Sequence, residues 1–447
     1  MPQSDETTST VTYRAEKLGR GFKMWNFSND PEFQPELDWI REFVRIEVAP
    51  LDYVLGSQWN IHDPDFKRLV RPLQQKVKDR GLWACHLGPA LGGKGYGQLK
   101  LALMSEQFGY SRFGPVVFGA QAPDSGNSEI LAHFGSEELK ARYLGPLLQN
   151  EIVSCFSVTE PHGGADPLQI RTTAVQDGKD WVINGEKWFA SSASYAEFYI
   201  IMALTDPDAP SHQKMSLFVV SADTPGIEVI RNYSYHGEIG ATHGHVRWTG
   251  VRVPAQNMLG ARGQGFAVAQ LRLGGGRLHH AMRGLAEATR CFEMMCERVN
   301  SRALNSQLLS SSQMTQEKIA DSWVELRQFR LLILETAWLA DQGHSWKDLR
   351  RNVSAVKMTM PRILHDIASR ALHLHGSLGL STEMPFAADV INSFHLGLAD
   401  GPTEVHKLLV ARETLKQYPA CADIFPDYMH YRQVERAQRR MGMTSPC

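Results

Sequence analysis

A compact β-rich stretch between Cys155 and about Val253, with helical patterns on both sides of it, constrains this fold more than any single motif. Within that stretch the short runs "WVING", "FYIIMAL" and "SLFVVSA" are separated by turn signals that include Asp177-Gly178 and Asn184-Gly185. Upstream, "PELDWIREFVRIEVAPLD" sets Leu37, Ile40, Phe43, Val44 and Val48 at helical spacing. Downstream, helices resume near residue 262. Leu285, Ala288, Phe292, Met295 and Val299 form one stripe, and Ile319, Trp323, Leu326, Phe329, Ile333 and Ala337 form another. Such stripes are core faces. Helices, then strands, then helices argue against an alternating βαβ sheet, so the architecture does not lead one to expect a Rossmann-type cofactor site. The expected division is a flexible leader (1–30), an N-terminal helical domain (31–152), a central β domain (153–258), a C-terminal helical domain (259–420) and a tail (421–447).

The 447 residues suffice for two or three cores. A formal net charge of -1 with no large basic block argues against a nucleic-acid partner, which needs gathered Lys and Arg. The arginine-rich "YRQVERAQRRMG" reads as a solvated tail helix. Cys85, Cys155, Cys291, Cys296, Cys421 and Cys447 form no CxxC pair, which suits free thiols in a reducing, cytoplasmic setting. The N-terminus lacks the apolar segment of a signal peptide, and no apolar run approaches the ~20 residues of a membrane span.

Several motifs bear on chemistry. "LGGKGYG" (Leu91 to Gly97) fits no phosphate-binding pattern and reads as a turn between helices. In "CFSVTEPHGGADP" (Cys155 to Pro167) small residues after a short strand let backbone approach a flat or anionic ligand, although a plain strand exit has the same look. "EKWFASSAS" sets Trp188 and Phe189 beside hydroxyls, either as an aromatic wall or as alternating sheet residues. His236, His243 and His245 lack a carboxylate or thiol that completes a metal-ligand spacing, so no metal is expected. "LGGGRLHHAMRG" (Leu273 to Gly284) reads as three glycines opening a helix that carries Arg277 and His280 on one face. That is an anion-friendly corner or a hinge before a solvated face. Finally, "LGLADGPTEVHKLLVARE" places Asp400 on a Gly-Pro corner ahead of a helix, where an aspartate also suits an N-cap.

Taken in order, "SVTEPHGGAD", "INGEKWFASSA", "VRVPAQNMLG", "GGGRLHHAMRG", "LHLHGSLGLSTEMP" and "ADGPTEVHKLLVARE" resemble the acyl-CoA dehydrogenase family, over residues 35 to 418. The resemblance implies an α+β multidomain fold: a helical domain, a small β-barrel-like domain and a four-helix bundle. It implies FAD, with Phe156, Val158, Thr159, Gly164 and Ala165 along one flavin edge and Phe189, Ala190 and Ser191 on the opposing hairpin. Ala165 replaces a serine common in the family, which removes a hydrogen bond to flavin and thioester. Arg302 and the His373 to Gly376 loop look like the groups that reach a partner subunit's FAD, with "RALNS" departing from the usual Phe-Gly. Ala165, Arg277, Leu278, His280 and Gly401 would border the acyl-CoA, and Pro402, Thr403 and Glu404 the FAD.

Asp400 stands where most of the family places a catalytic glutamate, and "ADGP" resembles a branch with Asp-Gly-Pro there. The implied reaction is α,β-dehydrogenation of an acyl-CoA to the trans-2-enoyl-CoA, with Asp400 as base. Pro402 falls where the family uses a backbone N–H on the thioester oxygen. Proline has none, so the donor shifts to Thr403 or Glu404. Aspartate is one methylene shorter than glutamate, which favours branched, hydroxylated or ring-bearing acyl groups. The resemblance further implies fatty-acid β-oxidation, a homodimer or homotetramer, and electron-transferring flavoprotein or a similar acceptor. Competing readings are an acyl-CoA oxidase or flavin monooxygenase on the same scaffold, and a non-catalytic flavin or acyl-CoA binding protein.

Overall fold

The computed structural model describes residues 30–166, 169–236, 242–418, 420, 426 and 428–443. The rest of the expected leader, Pro167, Cys421 and Cys447 lie outside the described residues. Helix α1 (Gln34–Phe43) buries Leu37, Ile40 and Phe43, and a wider π turn (Val44–Val48) carries the stripe on through Val44 and Val48. Helix α2 (Pro64–Asp79) starts on Asp63, whose side chain accepts from the backbone N–H of Asp65 at 2.7 Å; Pro64 suits the next position. Helix α3 (Gly97–Phe108) is capped from a distance. Asp341 accepts from the N–H groups of Gln98 (2.6 Å) and Leu99 (2.9 Å), tying this block to the C-terminal bundle. Helix α4 (Asp124–Phe134) leads towards the sheet.

The central block is one eight-stranded sheet. Its strands are β1 (Ser154–Ser157), β2 (Thr173–Asp177), β3 (Asp180–Ser191), β4 (Phe198–Leu204), β5 (Met215–Ser221), β6 (Ile227–Tyr233), β7 (His243–Pro254) and β8 (Met258–Leu259). The order is β6-β7-β3-β2-β4-β5-β8, with β1 beside β4. Pairing is antiparallel except that β1 and β2 run parallel to β4. Strands β4 and β5 are nearly continuous apolar runs because both of their faces are buried.

The C-terminal block contains α5 (Gly265–Ser301), α6 (Gln313–Asp341), α7 (Arg350–His375), α8 (Phe386–Leu398) and α9 (Thr403–Leu415). Between α5 and α6 lies a hairpin of β9 (Ala303–Leu304) and β10 (Gln307–Leu308). The first four helices share a core that includes Leu285, Met295, Phe329, Ile333, Met360 and Ile367, while α9 packs on α7. Each such buried side chain contributes about 1.5–3 kcal/mol. A tail helix, α10 (His430–Arg440), buries none of its residues, as its arginine-rich sequence implies. Among the described residues no helix is long and apolar enough to cross a membrane.

Three local expectations fail. Asn184-Gly185 is not a turn: β3 runs straight through it, with a bulge, and Gly185 is there because a Cβ would meet Thr172 Cα at 2.7 Å. Gly274 to Gly276 open no helix. They lie inside the 37-residue α5, so the region is neither a helix-terminal anion corner nor a hinge. Trp323 is not core; it is 51% exposed and, with Phe292 and Ile319, lines an open apolar groove of about 420 Å³.

Candidate active site

Asp400 adopts a left-handed backbone (φ 56°), uncommon for a residue with a side chain, and Gly401 follows at φ 104°. The N-cap of α9 is Pro402, and no side chain caps that helix. Asp400 is therefore not a helix cap. Its carbonyl oxygen accepts two hydrogen bonds from Arg277 on α5, from Nε at 3.3 Å and Nη2 at 3.1 Å. This clamp turns the carboxylate towards α5, where His280 Nε2 stands 3.9 Å from Oδ2 and the Asp400 side chain keeps 28% of its surface exposed. Glycine at 401 is required twice over, by its φ and because a Cβ would meet His406 Nε2 at 3.0 Å.

Charge around this carboxylate is one-sided. Burial alone would push the Asp400 carboxyl up, but His280, Arg272, Arg277 and Lys357 outweigh it and hold the carboxyl below the ordinary aspartate range. Burial drives His280 itself to about 4, so at neutral pH the arginines and Lys357 carry that effect. Burial likewise lowers Lys357 to about 8 and His406 to about 4, and raises Glu129 to about 7. Lys357 donates to the carbonyl of Leu396, and Arg272 lies 4.0 Å over the Phe156 ring with its Nε on Asn127 Oδ1 at 3.0 Å.

The β domain supplies a second set. The Trp188 N–H donates to Thr159 O at 2.8 Å, so the exit of β1, with Phe156 and Val158, lies against the end of β3. Lys187 Nζ joins the two through Val158 O (2.9 Å) and Glu160 Oε1 (2.8 Å), an ion pair sealed from solvent. The register shift between Lys187 and Ala190 leaves Phe189 left-handed (φ 51°) and 40% exposed, so Trp188 and Phe189 do not alternate but stack, centroids 5.0 Å apart. Ala190 is buried, and Ser191 Oγ meets His243 Nδ1 at 3.0 Å. Gly164 and Ala165 lie on the exposed loop opposite. Trp188 Nε1 is a buried donor without a partner among the described residues. An aromatic face, a hydroxyl and an unpaired N–H beside exposed backbone fit a flat ring with polar edges, as FAD carries.

The remaining expected residues divide. Thr403 and Glu404 form the first turn of α9, whose N–H groups have no intrahelical acceptor, and the Thr403 hydroxyl donates to Gly397 O at 3.1 Å. The Leu278 side chain is wholly buried in the bundle core, so it does not border the cleft: in a helix, neighbours of Arg277 point a hundred degrees away. Arg302 ends α5, and His373 and Gly376 end α7, all exposed. From Lys357 to His373 the helix rises roughly 24 Å, so within one chain these groups do not join the flavin-sized site. The hairpin after Arg302 turns through Asn305 and Ser306, both at positive φ, so Asn305 does the backbone work expected of glycine. Sequence reasoning passed over Arg272, Lys357 and Glu129. A lysine on the apolar stripe of α7, between Val356 and Met360, was the available signal.

Residues 31–151, 155–251 and 263–415 match the N-terminal, middle and C-terminal domains of acyl-CoA dehydrogenase. The chain is 40% identical over 357 residues to the probable acyl-CoA dehydrogenase FadE2 of Mycobacterium tuberculosis, covering 78% of this chain and 86% of that one. It is 33% identical over 425 residues to acyl-CoA dehydrogenase family member 11 of Rattus norvegicus, covering 92% of this chain but only 53% of that protein. A putative acyl-CoA dehydrogenase of Mycobacterium abscessus superposes with a TM-score of 0.82 at 36% identity, over 88% of this chain and 100% of the other.

Proposed function

The chain belongs to the acyl-CoA dehydrogenase family, an FAD-dependent family of oxidoreductases, and on that footing we propose that it oxidises an acyl-CoA between Cα and Cβ with Asp400 as the base. One observation carries the reading: a carboxylate on a strained corner, clamped through its own carbonyl by Arg277 and kept ionised by three cations. Strain of this kind costs about 1–3 kcal/mol and persists where the surroundings impose it. Phe156, Val158, Thr159, Gly164, Phe189 and Ser191 would hold FAD, which when bound would supply an acceptor for the hydride that leaves Cβ. Asp400 takes the α-proton, and closing the cleft over an acyl group removes water and strengthens the base. The thioester oxygen gains charge as the proton leaves. The N–H groups of Thr403 and Glu404 at the start of α9 are the donors, since Pro402 has none.

Arg302, His373 and Gly376 then serve the FAD of a second copy, which makes the enzyme a homo-oligomer. The exposed apolar side chains of Phe394, Leu398 and Leu408 are the surface that copy covers. Electrons pass on to electron-transferring flavoprotein or a similar acceptor, and the domain limits are those expected above. The purified protein should be yellow, and an acyl-CoA should bleach it anaerobically. A colourless protein that binds no FAD, or a yellow one that no acyl-CoA bleaches, would end the proposal.

A further inference from the structure

Asp400 stands between two helices that both lean on a third. Ser354, Lys357 and Pro361, spaced three and four residues apart, share one face of α7 and meet the corner on either side of the carboxylate. Ahead of the corner, the Lys357 ammonium donates to the carbonyl of Leu396 in the last turn of α8. One turn further along α7, Pro361 packs on Gly397, where an added Cβ would meet the Pro361 Cβ at 3.3 Å. Beyond the corner, Ser354 Oγ meets Nδ1 of the buried His406 on α9 at 3.0 Å, and the other edge of that ring lies against Gly401. The Thr403 hydroxyl closes the loop on Gly397 O at 3.1 Å.

Packing gives Lys357 no reason to be charged. It is 2% exposed, and its recorded partner among the described residues is a neutral carbonyl. An ammonium buried in this way is costly, and an unbranched methionine would fill the same stripe between Val356 and Met360. What the lysine adds is a donor at the C-terminal end of α8. The last carbonyls of a helix have no helical N–H, and the helix dipole there favours a cation. Asp400 follows the Leu396 carbonyl by four residues. An aspartate has only χ1 and χ2 with which to correct an error in its backbone, so the backbone decides where its carboxylate stands.

We infer that Lys357 is a positioning residue for the base: by fixing the last turn of α8 against α7 it sets the place of the Asp400 carboxylate from one side, as Arg277 does from α5. The inference goes beyond the proposed acyl-CoA oxidation and rests on it only for the kinetic arm of its test.

The variant is Lys357→Met in the FAD-loaded enzyme. Amide hydrogen exchange over residues 397–406 should quicken tenfold or more, while exchange in α5 and the visible flavin absorbance stay as in the wild type. The limiting rate of anaerobic flavin bleaching by butanoyl-, octanoyl- or isobutanoyl-CoA should fall tenfold or more with half-saturation nearly unchanged. The direction of that change separates position from charge. His280, Arg272 and Arg277 on α5, Lys357 on α7 and His406 on α9 face the Asp400 carboxyl. Removing the Lys357 charge raises that carboxyl's pKa, moves the acid limb to higher pH and makes the carboxylate a stronger base. Charge loss alone would therefore hold or raise the rate above the limb, and only a displaced carboxylate lowers it. Ser354→Ala, which frees the far end of the corner without a change of charge, should also slow bleaching and leave the acid limb in place.

A Lys357→Met enzyme whose corner exchanges as slowly as the wild type, or that bleaches as fast above its acid limb, would overturn the inference. Loss of flavin or of the folded state would overturn it too, making the lysine an anchor of the whole bundle. A wild type that none of these thioesters bleaches would count against acyl-CoA oxidation, and the exchange arm would still decide the tether.

Discussion

Replacing Arg277 by glutamine separates two roles for this arginine, as a contact for CoA and as the clamp on the base. Its Nε and Nη2 both bond the Asp400 carbonyl, at 3.3 and 3.1 Å. A hydrogen bond to a charged group contributes about 1.5–3 kcal/mol net. The left-handed backbone it restrains stores about 1–3 kcal/mol that is released once the corner relaxes. Losing the clamp should therefore depopulate the productive geometry by roughly 10–100-fold, since 1.4 kcal/mol is about a decade. Anaerobic single-turnover flavin reduction over a range of acyl-CoA concentrations is the assay. The limiting rate should fall by that factor while half-saturation changes much less, the mark of an interaction that serves the transition state. With one cation gone, the Asp400 carboxyl also rises, so the acid limb of the rate moves to higher pH. An unchanged limiting rate with a raised half-saturation would refute this and return Arg277 to CoA.

In the wild-type enzyme the rate should hold as pH falls towards about 5, because the base pKa lies below the ordinary aspartate value and activity is lost only as pH drops through it; a pH profile of kcat/KM checks this. Glu160→Gln leaves Lys187 buried beside Val158 O without its counter-ion and should cost about 3–5 kcal/mol in denaturant unfolding. With Glu160 beside it, burial sets the Lys187 pKa at about 8; without that partner it falls further below its unfolded value, so the stability deficit is full at low pH and narrows as pH rises towards about 8. Leu408→Asp on the exposed side of α9 should lower the mass seen by size exclusion with light scattering and release FAD; an unchanged mass would remove this face from the interface.

The block order was readable because it rests on periodicities that persist over many residues. The stripe through Leu285 and Val299 and the continuous apolar run of β4 are properties of a whole element. Glycines were misread where only their neighbours in sequence could be consulted. Gly185 answers to Thr172, and Gly274 to Trp346, whose ring a Cβ would meet at 3.0 Å. Neither contact has a local signature. The proposed role of Asp400 as base was legible only through the family resemblance, since a Gly-Pro corner after aspartate looks the same as a cap. What moves it out of that role is its own φ and the arginine on its carbonyl, both tertiary facts. Lys357 was passed over because it occupies a position that helical spacing assigns to core.

Asp400→Asn tests the central claim most directly. The change keeps size and tolerates the left-handed backbone, and the clamp from Arg277 binds the main chain, so fold, flavin colour and oligomeric state should persist. Without a general base, anaerobic bleaching by a substrate that reduces the wild type should slow by about 10²–10⁴-fold. Affinity for the corresponding enoyl-CoA, which transfers no proton, should change little. A variant that bleaches at nearly the wild-type rate would contradict the account, because the carboxylate at this corner would then not be the base.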